Sequence, residues 1–151
     1  MADAARRYLA RTGEDLGDDE REKLAAQVAG VMDDARFAPL FGAGSRAEVP
    51  IVGRIARACG SSLPVAGQID RLAVTASDVL IADYKTNHPA PQRVEDVPPA
   101  YRAQLALYRA VLASLYPDRA IRAALLWTEV PDLMEIPATV LDAALAQLTS
   151  A

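Results

Sequence analysis

The chain has 151 residues, of which 52% are hydrophobic and 24% charged, with a formal net charge of −4 at pH 7; this is about one domain, and too apolar for intrinsic disorder. Its single cysteine, Cys59, excludes an internal disulfide and a cysteine-built zinc site. No apolar run approaches the roughly 18 residues of a membrane span, and MADAARRYLART lacks a signal-peptide core, so a soluble, cytoplasmic protein with no membrane partner is expected.

Residues 2–11 have Ala5, Tyr8 and Leu9 at helical spacing and predict an amphipathic helix ended by Gly13. Asp18 or Asp19 is positioned to cap a second helix, whose Leu24, Val28, Val31 and Met32 predict a core-facing stripe. An apolar connection, Phe37 to Phe41, leads through a Gly42 to Ser45 break into a strand, Arg46 to Ile55. Val49, Ile51 and Gly53 share one face of that strand, and Glu48 lies near its start.

A turn at Ala58 to Ser62 then leads into two β-rich segments, Val65 to Val74 and Val79 to Lys85, separated by Thr75-Ala76-Ser77-Asp78. A hairpin is expected, giving three antiparallel strands in succession. The following segment carries Pro89, Pro91, Pro98 and Pro99 and predicts an exposed loop that holds His88, the only histidine. Pro99 to Tyr116 is the clearest helix, with Tyr101, Leu105, Tyr108, Leu112 and Leu115 along one side. Ile121 to Thr128 reads as a strand covered on both faces, Leu133 to Ile136 as a short edge strand, and Pro137 to Leu148 as a last helix.

The hairpin carries the chemistry. If Val74 faces Val79, the register sets Asp70 opposite Asp83, and strand alternation puts Asp83 and Lys85 on one face with Asp70. Two carboxylates so paired repel unless something positive lies between them, and a hard divalent cation such as Mg²⁺ meets that need while leaving room for water and a phosphate oxygen. Lys85 could then orient a water or stabilise charge on phosphorus. A solvated edge lysine and an Asp70–Arg71 pair are the plain alternatives. Gln104 falls within the apolar stripe of its helix, so it needs a definite partner, which is either backbone of the sheet or, in a functional role, DNA or the metal carboxylates. Glu48 stands at even odds between a solvated strand residue and a place near the metal, and His88 is more often a solvated loop residue than a ligand.

GQIDRL, IADYKT and YRAQLALY occur in this order and resemble the RecB-type motifs of the PD-(D/E)XK nuclease superfamily. With RAEVPIVG before and ALLWTEVP after them, the whole chain most closely resembles the C-terminal nuclease domain of the AddA subunit of bacterial AddAB helicase-nucleases. The resemblance implies an α/β fold with a restriction-endonuclease-like core: a mixed central sheet of three antiparallel strands, then helix and strand, flanked by helices. It divides the chain into N-terminal helices (1–41), a catalytic core (46–137) and a C-terminal helix (137–149).

The same resemblance implies Asp70 and Asp83 as ligands of Mg²⁺, for which Mn²⁺ can substitute, with the Tyr84 carbonyl as a third ligand and Glu48 as the acidic residue of the first strand. It makes Lys85 the catalytic lysine, and Gln104 and Tyr108 an accessory pair. The reaction implied is hydrolysis of DNA to leave a 5′-phosphate, in double-strand break repair and recombination, on single strands fed by a helicase and beside an AddB-like subunit. The family's metal-binding histidine has no counterpart at a matching place. Either it lies upstream of Met1, as the abrupt helical start favours, or it is missing; the first option makes the chain a fragment of a larger helicase-nuclease, the second a nuclease-like module for DNA or subunit binding.

Overall fold

The computed structural model describes residues 2–13 and 15–150. In chain order it contains α1 (Ala2–Thr12), α2 (Asp18–Met32), α3 (Ala38–Phe41), β1 (Arg46–Ala56), β2 (Ser62–Val74), β3 (Asp78–Lys85), a 3₁₀ turn (Val94–Asp96), α4 (Pro99–Leu115), β4 (Ala120–Trp127), β5 (Asp132–Ile136) and α5 (Ala138–Thr149). The five strands form one sheet in sequence order. All neighbours are antiparallel except β3 and β4, which run parallel and are joined through α4. A parallel pair requires such a crossover, since its strand ends lie a full sheet height apart. This is the mixed α/β sheet flanked by helices that the sequence leads one to expect.

The β2–β3 hairpin has the expected register, with Val74 opposite Val79 and Arg71 opposite Ala82. Thr75 closes its turn: its N–H donates to the Asp78 carbonyl at 2.8 Å, and its Oγ1 accepts from the Asp78 N–H at 2.9 Å. Along β3, side chains alternate between two cores. Val79 and Ile81 join Ile69, Leu105, Leu125, Trp127 and Leu141 under α4 and α5, whereas Leu80 and Ala82 join Phe37, Leu40 and Ala124 on the opposite face. That alternation puts Asp83 and Lys85 under α4.

Helix α4 packs closely because two glycines let it. A Cβ on Gly53 of β1 would lie 2.7 Å from Val111, and one on Gly67 of β2 would lie 2.1 Å from the Tyr108 hydroxyl. Neither distance is tolerable, so the absent side chains are what bring α4 down onto the β1–β2 ribbon.

Several expectations need correction. α2 begins from Gly17, whose N–H donates to the Glu20 carboxylate at 3.0 Å, with Asp18 and Asp19 already inside the first turn. Its buried residues are Ala25 and Ala29; Leu24, Val28, Val31 and Met32 are only half-buried, because small residues make the closest approach. The connection Phe37 to Phe41 contains the short helix α3. The proline-rich loop is not wholly exposed, since Val97 is 1% exposed and Val94 packs on the main core. At the end of α4, Leu115 points to solvent and Val111 takes the inward place, as 3.6-residue periodicity drifts around the helix.

Candidate active site

The sheet forks where the acidic residues lie. The β2–β3 ladder ends at Arg71 and Ala82, one step short of Asp70 and Asp83. From there β2 continues only beside β1, while Asp83, Tyr84 and Lys85 pair with Leu125, Leu126 and Trp127 of β4. Asp70 spans the opening: its Oδ2 accepts the Tyr84 N–H at 2.7 Å, using a backbone donor that the interrupted ladder would otherwise leave unpaired.

Asp83 is the one charged residue buried in the core among the described residues, 4% exposed. Its Oδ2 forms an ion pair with the Lys85 ammonium and otherwise has no partner among the described residues. Burial pushes the Asp83 carboxyl above the usual carboxylate range, and the nearby Asp70 charge adds to the effect, while Lys85 opposes both. A carboxylate so placed favours a second cation.

Lys85 is held from two directions. Its ammonium donates to Gln104 Oε1 at 3.0 Å and lies 4.4 Å from the centre of the Tyr101 ring. Gln104 in turn donates through Nε2 to the Tyr108 hydroxyl at 3.2 Å, and that hydroxyl rests over the bare backbone of Gly67. The definite partner expected for Gln104 is present, but it is neither sheet backbone nor a carboxylate of the site: it is the Lys85 ammonium on one side and the Tyr108 hydroxyl on the other. Thus Asp83, Lys85, Gln104 and Tyr108 form one connected row, with Asp70 across the fork.

Glu48 has a distinctive place. The flanking pairs, Ala47 with Arg71 and Val49 with Ile69, put it across β1–β2 from Asp70, and it is exposed with φ at +52°. A strand glutamate in the left-handed region is costly and survives only where its surroundings impose it. The Tyr84 side chain lies on the other face of β3, 39% exposed, so Tyr84 brings only its backbone to the fork. His88 is exposed and stands 4.0 Å from Glu129.

Among the described residues, no three His, Cys, Asp or Glu side chains converge as a metal-binding group. The donors that do approach are two carboxylates, one of them buried with its Oδ2 paired to the Lys85 ammonium. Such a set fits a hard divalent cation of the kind held by one or two carboxylates, several waters and a substrate phosphate. It does not fit a closed structural site.

Sequence reasoning did not single out Tyr101, Asn87 or Trp127. Tyr101 donates its hydroxyl to Asn87 Oδ1 at 2.8 Å and packs against the Trp127 ring, with centroids 6.4 Å apart. One compositional signal was available: only two lysines, Lys23 and Lys85, occur among 16 lysines and arginines, so an ammonium at position 85 stands out against a chain that otherwise uses guanidinium.

No curated protein matches this chain. Among solved structures, the crystal structure of SSO0001 is similar at a TM-score of 0.42 and 15% identity, over 95% of this chain and 69% of that one. The sequence profile of the PD-(D/E)XK nuclease superfamily matches residues 1–147, nearly the full chain, and these residues include both aspartates, the lysine and all five strands. The chain therefore belongs to the PD-(D/E)XK nuclease superfamily, whose members generally hydrolyse DNA with the help of divalent metal ions.

Proposed function

We propose that this chain is a Mg²⁺-dependent deoxyribonuclease domain that cleaves single-stranded DNA within a helicase-nuclease of the AddAB kind, acting in double-strand break repair and recombination. The observation that carries the reading is the buried Asp83 carboxylate paired with Lys85 at the fork, beside Asp70. An acidic group is stable there only if a positive partner is supplied.

Asp70 and Asp83 would hold the cation, with the Tyr84 carbonyl as a further oxygen; Glu48 lies across β1–β2 from Asp70 but does not join the two aspartates as a third side-chain ligand among the described residues. When bound, Mg²⁺ or Mn²⁺ supplies Lewis-acid charge and lowers the pKa of water. Lys85 donates a proton-bearing bond toward a phosphoryl oxygen as negative charge grows there, an interaction strongest in the transition state. Gln104 keeps the ammonium directed, and Tyr108 keeps Gln104 in place. Water attacks phosphorus, the bond to the 3′-oxygen breaks, and the 5′-phosphate remains on the product. The three motifs in order support the RecB-type assignment, and with it an AddB-like partner subunit.

A second reading, a nuclease-like module that binds DNA or a subunit without cleaving, is favoured by one observation: the site gathers two carboxylates and no third side-chain ligand among the described residues. The two readings part in one assay. Single-stranded DNA is incubated with the chain and Mg²⁺ or Mn²⁺, beside Asp83→Ala and Lys85→Ala. Cleavage by the wild type that both substitutions reduce by at least about 100-fold is the expected result. Folded wild type that leaves DNA intact with either metal would move the assignment to the binding module.

A further inference from the structure

The geometry points to Tyr101 as a positioning residue that seats the Lys85 ammonium over its ring and thereby aims it at the fork. This inference rests on the nuclease reading for its consequence, though not for its geometry. An ammonium has three donors, and here three groups meet it: the Asp83 carboxylate, Gln104 Oε1 and the face of the Tyr101 ring at 4.4 Å. The ring and Gln104 are the two α4 groups that meet an ammonium already paired with Asp83, and together they fix its direction.

The ring is itself fixed at both ends. Its hydroxyl donates to Asn87 at the start of the loop after β3, and its face packs at 47° against Trp127. Trp127 is fully buried and sits beside Lys85 in the β3–β4 register. Tyr101 lies one turn before Gln104 on α4, so the helix presents both groups to the same lysine. A residue that merely filled the core would need neither the polar tip bonded to Asn87 nor a cation against its face.

Because Lys23 and Lys85 are the only lysines, selective ¹³C labelling at lysine Cε yields two signals. Lys23 is exposed and serves as the internal reference. In the wild type, the Lys85 ε-methylene protons should be shifted upfield of those of Lys23 by the ring current, with a nuclear Overhauser contact to the Tyr101 ring. Tyr101→Phe should keep the shift, and Tyr101→Leu should abolish it. On DNA, Tyr101→Leu should lower kcat about tenfold with KM within about twofold of wild type, and Tyr101→Phe should restore most of the rate.

A Lys85 signal coincident with that of Lys23 in the wild type, or one unmoved by Tyr101→Leu, overturns the seat even if Tyr101→Leu is poorly active. Should Tyr101→Leu fail to fold, the wild-type shift and contact alone decide. Equal loss of rate in the Phe and Leu variants would assign the role to the hydroxyl–Asn87 bond instead. If the shift is present but no protein cleaves DNA, the seat stands and the nuclease reading fails.

Discussion

At Asp83 a buried carboxylate and a lysine two residues along the same strand face set the electrostatics of the site. Because burial raises the Asp83 pKa, the folded chain holds that proton more tightly than the unfolded chain. The stability contributed by this group therefore falls as pH rises from the ordinary aspartate value, about 3.9, through the raised folded value, and is lowest near neutrality. Asp83→Asn removes the ionisation and should be more stable than wild type at pH 7, with the gap closing as the solution is acidified. Denaturant titrations of both proteins across this pH range check the sign, and a wild type that gains stability relative to Asp83→Asn on going to neutral pH would contradict it. The same substitution should abolish tight Mn²⁺ binding, so stability and function pull in opposite directions at this residue.

Between elements, the decisive contact is α4 against β2. Tyr108 reaches its place only because position 67 carries no side chain: a Cβ there would stand 2.1 Å from the hydroxyl and 2.8 Å from the ring carbon that bears it. Gly67→Ala should therefore displace Tyr108 and cost roughly 1–3 kcal/mol, as overpacking does. Combining it with Tyr108→Phe should cost less than the sum of the single changes, since phenylalanine lacks the hydroxyl that the new Cβ would strike. Thermal or denaturant unfolding of the four proteins in the cycle measures the coupling, and strict additivity would show that the clash is relieved elsewhere. Because Tyr108 holds Gln104, and Gln104 holds Lys85, the glycine of one strand helps direct the ammonium of another.

For the molecule as a whole, a net charge of −4 leaves little general attraction for a polyanion, so DNA binding should depend on cations at the fork. With Ca²⁺, which occupies carboxylate sites without necessarily supporting cleavage, single-stranded DNA should bind at least about tenfold more tightly than in the presence of a chelator. Fluorescence anisotropy of a labelled oligonucleotide measures the difference. Binding that is indifferent to divalent cations would instead favour the binding-module reading. Among the described residues no helix is long and apolar enough to cross a membrane.

How much of this was legible in advance depended on how local its cause is. The hairpin register followed from Val74, the turn residues and Val79, and with it the sharing of one face by Asp83 and Lys85, because strand alternation is a property of the backbone. The buried side of α4 and the need of Gln104 for a partner were legible for the same reason: helical period is local. Tertiary packing decided the rest. Only the fork between β2 and β3 makes Asp70 a bridge to Tyr84 rather than one more ladder residue, and only the descent of α4 onto Gly53 and Gly67 brings Tyr101, Gln104 and Tyr108 to Lys85. The burial that raises Asp83's pKa also comes from layers far apart in sequence, and no pattern of neighbours along the chain encodes the field they create together.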